Sequence, residues 1–484
     1  MNIDKLEPRH VWGHFDRIRS IPRPSKHEDR IREHLLAWAH ERKFETRVDG
    51  AGNLVVDVPA TRGHERAGVL VLQAHMDMVC EKNADVSFDF SRDAIQLERD
   101  GDWLKARGTT LGADNGVGLA AALALADDPE VVHGPLEILV TVDEETGLTG
   151  AAKLDASMVK GRRLLNLDTE ELGAIYIGCS GGGNTTLTLP LAREPAAKGA
   201  RAVEVRVTGL RGGHSGMDII LQRGNAIRAL ARVLRVAGAS ADVRIARIEG
   251  GNAHNAIPRE AFALCAVPAD GADAFARAVE AEGRAIAAEL GVSDPECQIA
   301  VRPASDAIGS VADAESQRRI IGALLTIPQG VEAMSLDVPG LVETSSNLAA
   351  VSTEADAVRV LVSVRSSVKS ALMALRDRVH IAVETAGGSH EDNEPYPGWK
   401  PNLHSQVLDI ARRVHERELG RAPELKAVHA GLECGVIGEK LPGIDMISIG
   451  PWIEAPHSPN ERVNIASVET FWKYLKATVR ELAG

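Results

Sequence analysis

Between about residue 69 and residue 178, four apolar runs, GVLVLQA, LEILVTV, RLLNLD and AIYIG, alternate with stretches of helical character such as Gly116 to Asp127. Alternation of this kind marks βαβ units. The runs are apolar nearly throughout rather than at every second residue, as strands covered on both faces must be. The chain is therefore read as an α/β protein whose sheet carries helices on both faces. Three of the runs break off in polar clusters, HMD, DEE and NLD. In open α/β sheets ligands gather beyond the carboxyl ends of the strands, so the three clusters predict a single site.

A chain of 484 residues has room for two or three domains at roughly 100–200 residues each. Around Leu189 to Arg201 it becomes rich in proline and alanine (PLAREPAAKGAR), and an α+β body follows to about residue 390, where the loop EDNEPYPGWKP leads out. The tail then supplies a helix from His404 to Leu419, a strand from Ile444 to Ile449 and a closing helix from Ile465 to Leu482. The expected organisation is one domain built from residues 1–189 and 391–484, interrupted by a second at 190–390.

With 68 acidic and 55 basic side chains, a net charge of −13 and 3% aromatic residues, the chain lacks the basic face and stacking rings of a nucleic-acid binder. Its longest apolar run, Gly116 to Ala126, falls short of the roughly 18 residues that a membrane span needs. Nor does MNIDKLEPRH resemble a secretory leader. The five cysteines, Cys80, Cys179, Cys265, Cys297 and Cys434, form no C-x-x-C pair, so neither a disulfide framework nor a thiolate zinc site is expected. A cytoplasmic location without membrane or nucleic-acid partners is the expectation.

His75 and Asp77 in HMD stand two residues apart, on one side of the chain if it stays extended. Taken alone this pair could simply cap a strand. Asp114 in GADNGVG could cap a helix, Asp143, Glu144 and Glu145 could be a solvated strand end, and His457 in APHSPNE could be a surface histidine. Together, however, Asp77, Asp114, Glu144, Glu145 and Asp168 form a group of carboxylates that repels itself unless cations neutralise it. Two divalent ions bound by mixed imidazole and carboxylate ligands answer that need; such ligands suit zinc, with manganese or cobalt as alternatives.

The ordered set HMD, GADNGVG, DEETG, NLD, GGHSG and PHSPNE resembles the M20 family of dinuclear metallopeptidases, and within it the bacterial aminoacyl-histidine dipeptidase group. GGNAHNAIP, ETSSNLA, VSVRSS and HAGLECG extend the resemblance, which runs from the first helices to the C-terminus. It implies a zinc-peptidase-like catalytic domain with a central mixed sheet, plus an inserted α+β lid that also supports a homodimer. It implies two metal ions per subunit, with His75 and Asp168 on one, Glu145 and His457 on the other, and Asp114 bridging. Asp77 would orient His75, and the Asp114–Asn115 peptide would be cis.

The same resemblance makes Glu144 the general base for hydrolysis of unblocked dipeptides, Xaa-His included, by metal-activated hydroxide. His214 in GGHSG would stabilise the oxyanion, unless it is merely an exposed histidine in a glycine-rich turn. Arg365 in VSVRSS would take the substrate carboxylate, unless it sits on an exposed strand face. Asn255 and Asn347 are candidates for hydrogen bonds to substrate, and Glu433 for receiving its amine. Cys434 is read as a packed residue rather than a nucleophile. Two other readings stay open: another amide hydrolase on this scaffold (aminoacylase, deacetylase or tripeptidase), and a noncatalytic binding protein.

Overall fold

A computed structural model describes Ile3 and residues 5–484. The chain forms two compact units: residues 1–179, 399–427 and 432–484 in the first, residues 180–398 and 428–431 in the second. The division thus comes before residue 189 and again after residue 390. The reason is the strand Gly181–Pro190: it pairs along its whole length with Ala357–Ser366, so it belongs to the second unit's sheet.

The first unit is built on an eight-stranded sheet in the order Glu45–Val48, Leu54–Val58, Leu136–Thr141, Leu70–His75, Arg163–Asn166, Asp445–Ser448, Ala174–Cys179, Glu424–Val428. Its centre is parallel and its margins include antiparallel pairs, so the sheet is mixed. The central strands are sealed: every residue of Leu70–His75 and of Leu136–Thr141 is buried. Each fully buried Leu, Ile or Val there contributes about 1.5–3 kcal/mol.

Register decides what lies at the carboxyl ends. Leu70 pairs with Leu136 and with Arg163, which sets His75 opposite Thr141 and Gln73 opposite Asn166. Residues just past each strand therefore leave one edge as neighbours. The helix Ala113–Asp127 is apolar almost all round, and twelve of its fifteen residues are buried, as expected of a helix inside a core. Gly118 allows its close approach, since a Cβ there would collide with the Leu167 carbonyl oxygen. A separate four-stranded sheet ends in the hairpin of Ile453–Glu454 and Arg462–Asn464, whose loop carries His457.

The second unit's main sheet resolves into two copies of one plan. Strands Arg201–Thr208, Arg244–Gly250, Ala261–Val267 and Gln298–Pro303, with helices Ala226–Ala237 and Ala272–Glu289, follow a β-α-β-β-α-β order. So do strands Gly181–Pro190, Val342–Thr353, Ala357–Ser366 and Ser389–Asp392, with helices Ala314–Thr326 and Lys369–Thr385. The two modules join edge to edge where Gly250 pairs with Val351. The first is inserted between the opening strand and first helix of the second. That nesting hides the repeat in the sequence.

Candidate metal centre

In the first unit the chain brings His75, Asp77, Asp114, Glu144, Glu145, Asp168, Glu433 and His457 into one neighbourhood. Asp114 stands at its middle. Its Oδ1 is 3.0 Å from His75 Nε2 and its Oδ2 is 3.1 Å from His457 Nε2. Each imidazole has a carboxylate of its own as well: Asp168 Oδ1 lies 3.4 Å from His75 Nε2, and Glu145 Oε2 lies 2.9 Å from His457 Nε2. The arrangement is two half-sites that share one carboxylate. The Asp114–Asn115 peptide is cis, and the Asn115 amide donates to Leu167 O and to Asp168.

Asp77 is fully buried and works on the backbone: it accepts from the amides of Glu144 and Glu145 and from Ser25 Oγ. Its Oδ1 lies 3.3 Å from His75 Nδ1. Burial raises its pKa, but those bonds and the imidazole hold it below the usual carboxylate range. Glu433, 1% exposed, accepts at Oε2 from Gln73 Nε2 and Thr141 Oγ1, while Oε1 has no hydrogen-bond partner.

Charge is out of balance in this cluster. Burial and neighbouring carboxylates push Asp168 up to about 6, Glu433 up to about 7 and Glu144 well above its ordinary range. Hydrogen bonds to Asp114 and Glu145 raise His457 to about 11. Burial opposes a charge on His75, yet Asp168, Asp114 and Asp77 raise it strongly. Positive charge is what the cluster lacks.

The donor set fits divalent cations on three grounds. Imidazole nitrogens and carboxylate oxygens are ordinary zinc ligands, and donors bonded to one ion at about 2.0–2.2 Å stand roughly 3.3 Å apart in tetrahedral geometry. The separations here run from 2.9 to 3.4 Å. Glu145 Oε1 is also buried without a hydrogen-bond partner. Asp114 does not cap its helix, whose N-cap is Gly112.

The second unit groups the remaining candidates. His214 Nδ1 accepts from the amides of Gly216 and Met217, so its ring proton resides on Nε2. Burial, with Arg365 nearby, lowers its pKa. His214 pairs in register with Ala256, whose carbonyl accepts from Asn347 Nδ2; Asn255 O accepts from the Ser215 amide. Arg365 is 7% exposed, donates through Nη1 to the Tyr396 hydroxyl, and has a buried Nε without a partner. It is thus no exposed strand residue. Opposite it, Ser345 Oγ is 2.7 Å from His429 Nε2.

Arg23, Glu461, Gln73, His429 and Ser345 were not singled out from the sequence. Gln73 and Asn166 did leave a signal, being polar residues inside otherwise apolar strands; Asn166 Nδ2 donates to Gln73 Oε1. For buried Arg23 and Glu461 only the fold reveals a role.

Residues 71–481 match the peptidase family M20/M25/M40. The chain belongs to peptidase family M20. It is 40% identical over 481 residues, 99% of both chains, to the cytosol non-specific dipeptidase of Escherichia coli (strain K12). The crystal structure of an aminoacylhistidine dipeptidase from Vibrio alginolyticus superposes with a TM-score of 0.94 at 41% identity, covering 99% of this chain and 98% of that one. An aminopeptidase, PepT, of Bacillus cereus shares the fold at a TM-score of 0.57 and 18% identity, over 99% of this chain and all of that one. This M20 chain is accordingly a peptide-bond hydrolase, and the carboxylate–imidazole cluster is the candidate seat of its chemistry.

Proposed function

We propose that the protein is a metal-dependent dipeptidase acting on unblocked dipeptides, those ending in histidine among them. The observation that carries this is the placement of Asp114 between two imidazoles, with one carboxylate oxygen toward each. Full-length similarity to two enzymes named as dipeptidases supports the substrate class. His75 and Asp168 would hold one divalent ion, Glu145 and His457 the other, with Asp114 shared; zinc is the metal proposed. When bound, such a pair lowers the pKa of water toward neutrality and polarises the scissile carbonyl.

The chain's own groups supply the rest. Glu144 has its backbone fixed by Asp77, so its carboxylate is available to take the proton of the attacking water and pass it to the leaving nitrogen. His214 presents an Nε2–H as oxyanion donor, the tautomer being set by the two amides on Nδ1. Arg365 has unsatisfied donor capacity that matches a terminal carboxylate. Glu433 Oε1 would accept the free α-amine, and Asn255 and Asn347 would hydrogen-bond the substrate. Residues 180–398 are the proposed lid and homodimerisation unit, and the cytoplasm the proposed location. None of the helices among the described residues is long and apolar enough to cross a membrane.

The test is metal analysis of purified protein together with turnover of matched free and N-acetylated dipeptides. Two equivalents of metal per chain and cleavage of free dipeptides alone are expected. Cleavage confined to the acetylated compounds would make the protein a deacylase instead. Light scattering checks the dimer.

A further inference from the structure

Two buried groups outside the ligand set hold the backbone that carries it. The Glu461 carboxylate, 2% exposed, accepts four consecutive amides: Leu111 at 2.7 Å and Gly112 at 2.9 Å on Oε2, Ala113 at 2.7 Å and Asp114 at 3.2 Å on Oε1. A carboxylate saturated this way is tied to a helix N-terminus by charge as well as by hydrogen bonds. Glu461 also stands in the same hairpin loop as His457, four residues further on. It therefore fastens the loop bearing His457 to the segment bearing Asp114.

Arg23 makes the matching connection on the other side. Its guanidinium, 1% exposed, donates through Nη1 to the carbonyls of Met76 and Asp77 and through Nη2 to Gly112 O at 2.5 Å. The segment following His75 is thereby fastened to the segment preceding Asp114. The two ties grip opposite polar groups of Gly112, Glu461 its N–H and Arg23 its C=O.

We infer that Glu461 and Arg23 are positioning residues with separate tasks, Glu461 setting the Asp114–His457 half-site and Arg23 the His75–Asp114 half-site. Each half-site depends on ligands from two chain segments that are distant in sequence, and a shift of the His457 loop or of the His75 segment relative to the shared Asp114 spoils one ligand pair while sparing the other. Supporting groups of this kind typically contribute 10–100-fold to metal affinity. The inference rests on the dinuclear reading of the cluster.

The experiment is Co²⁺ titration of the metal-free full-length protein, followed by calorimetry and by the visible spectrum, with zinc-edge anomalous scattering from crystals of the zinc-loaded proteins. In Glu461→Gln one of two binding events should weaken 10–100-fold and the ion beside His457 and Glu145 should lose occupancy, as in His457→Ala. In Arg23→Lys the ion beside His75 and Asp168 should be the one lost. Glu461→Asp, which keeps the charge on a shorter arm, should recover part of the affinity, and it replaces Glu461→Gln if that variant does not fold. Equal weakening of both ions in either variant, or unchanged affinity in both, overturns the assignment. Failure of the wild type to bind two ions overturns the dinuclear reading instead.

Discussion

The two ends of a single strand, Leu136–Thr141, treat buried acid in opposite ways. At its amino end Glu137, 1% exposed, is paired with Arg47 at 2.8 Å and accepts the amides of Lys160 and Gly161. Just past its carboxyl end lie Glu144 and Glu145, and among the described residues the ion pairs of Glu145, Asp114 and Asp168 run only to imidazoles. Asp127 resembles Glu137 in this respect, being held by His14, Trp38 and Arg42. At Glu137 and Asp127 the chain supplies an arginine and further donors. At the carboxyl edge it leaves a deficit of positive charge, and the proposed metal pair rests on that deficit.

If the contrast is real, variants at the two ends must fail in different ways. The largest effect belongs to Glu144→Gln, which removes a proton carrier without removing a ligand. Its kcat should fall about 10²–10⁴-fold with two metal ions retained, as steady-state kinetics and metal analysis would show. Normal turnover would return Glu144 to the class of solvated acids.

At the other end, Arg47→Ala should leave Glu137 buried without its cation. Breaking such a pair costs about 3 kcal/mol, the low end of the usual range, because Arg47 is itself 24% exposed. Denaturant unfolding should record the loss, whereas metal content and kcat/KM per folded molecule should not change. A metal defect in Arg47→Ala would erase the distinction between the two ends.

Removing the metal tests the deficit directly. A ligand at 100 times its Kd stabilises a folded protein by about 2.7 kcal/mol, so chelation should lower the melting temperature of the wild type. Asp114→Asn, with the shared ligand weakened, should show a much smaller drop on chelation. Equal drops in both proteins would mean that the ions contribute nothing to holding the carboxylates together.

The α/β class and the acidic strand ends were legible because strands buried on both faces read as unbroken apolar runs, and HMD, DEE and NLD interrupt them sharply. The order of the motifs then identified the family. Register was not legible: that His75 lies opposite Thr141 follows from pairings across more than sixty residues. The boundary at Ser180 was missed because Gly181–Pro190 is glycine-rich where it begins and finds its partners, Ala357–Ser366 and Ser389–Asp392, only after a whole inserted module. Glu461 was unreadable for a different reason. A glutamate in a polar loop looks solvated until the four amides it caps, some 350 residues earlier in the chain, are folded against it.

The smallest effect tests the opposite polarity of the second unit, where the clustered groups are basic. His429 is buried, faces Arg365 and His214, and donates to or accepts from Ser345 Oγ. Burial first, and the Arg365 cation second, push its pKa down to about 3, against about 6.5 in an unfolded chain. Below pH 6.5 the unfolded state therefore binds a proton that the folded state refuses, and stability is lost as the pH falls. Between pH 7 and pH 5 this one group should remove about 2 kcal/mol. His429→Gln keeps a polar partner for Ser345 but has nothing to titrate, so its unfolding free energy should decline less than the wild type's over the same interval. Parallel declines would show that the ring is already protonated in the folded protein, and that the basic face does not exclude positive charge as the acidic face attracts it.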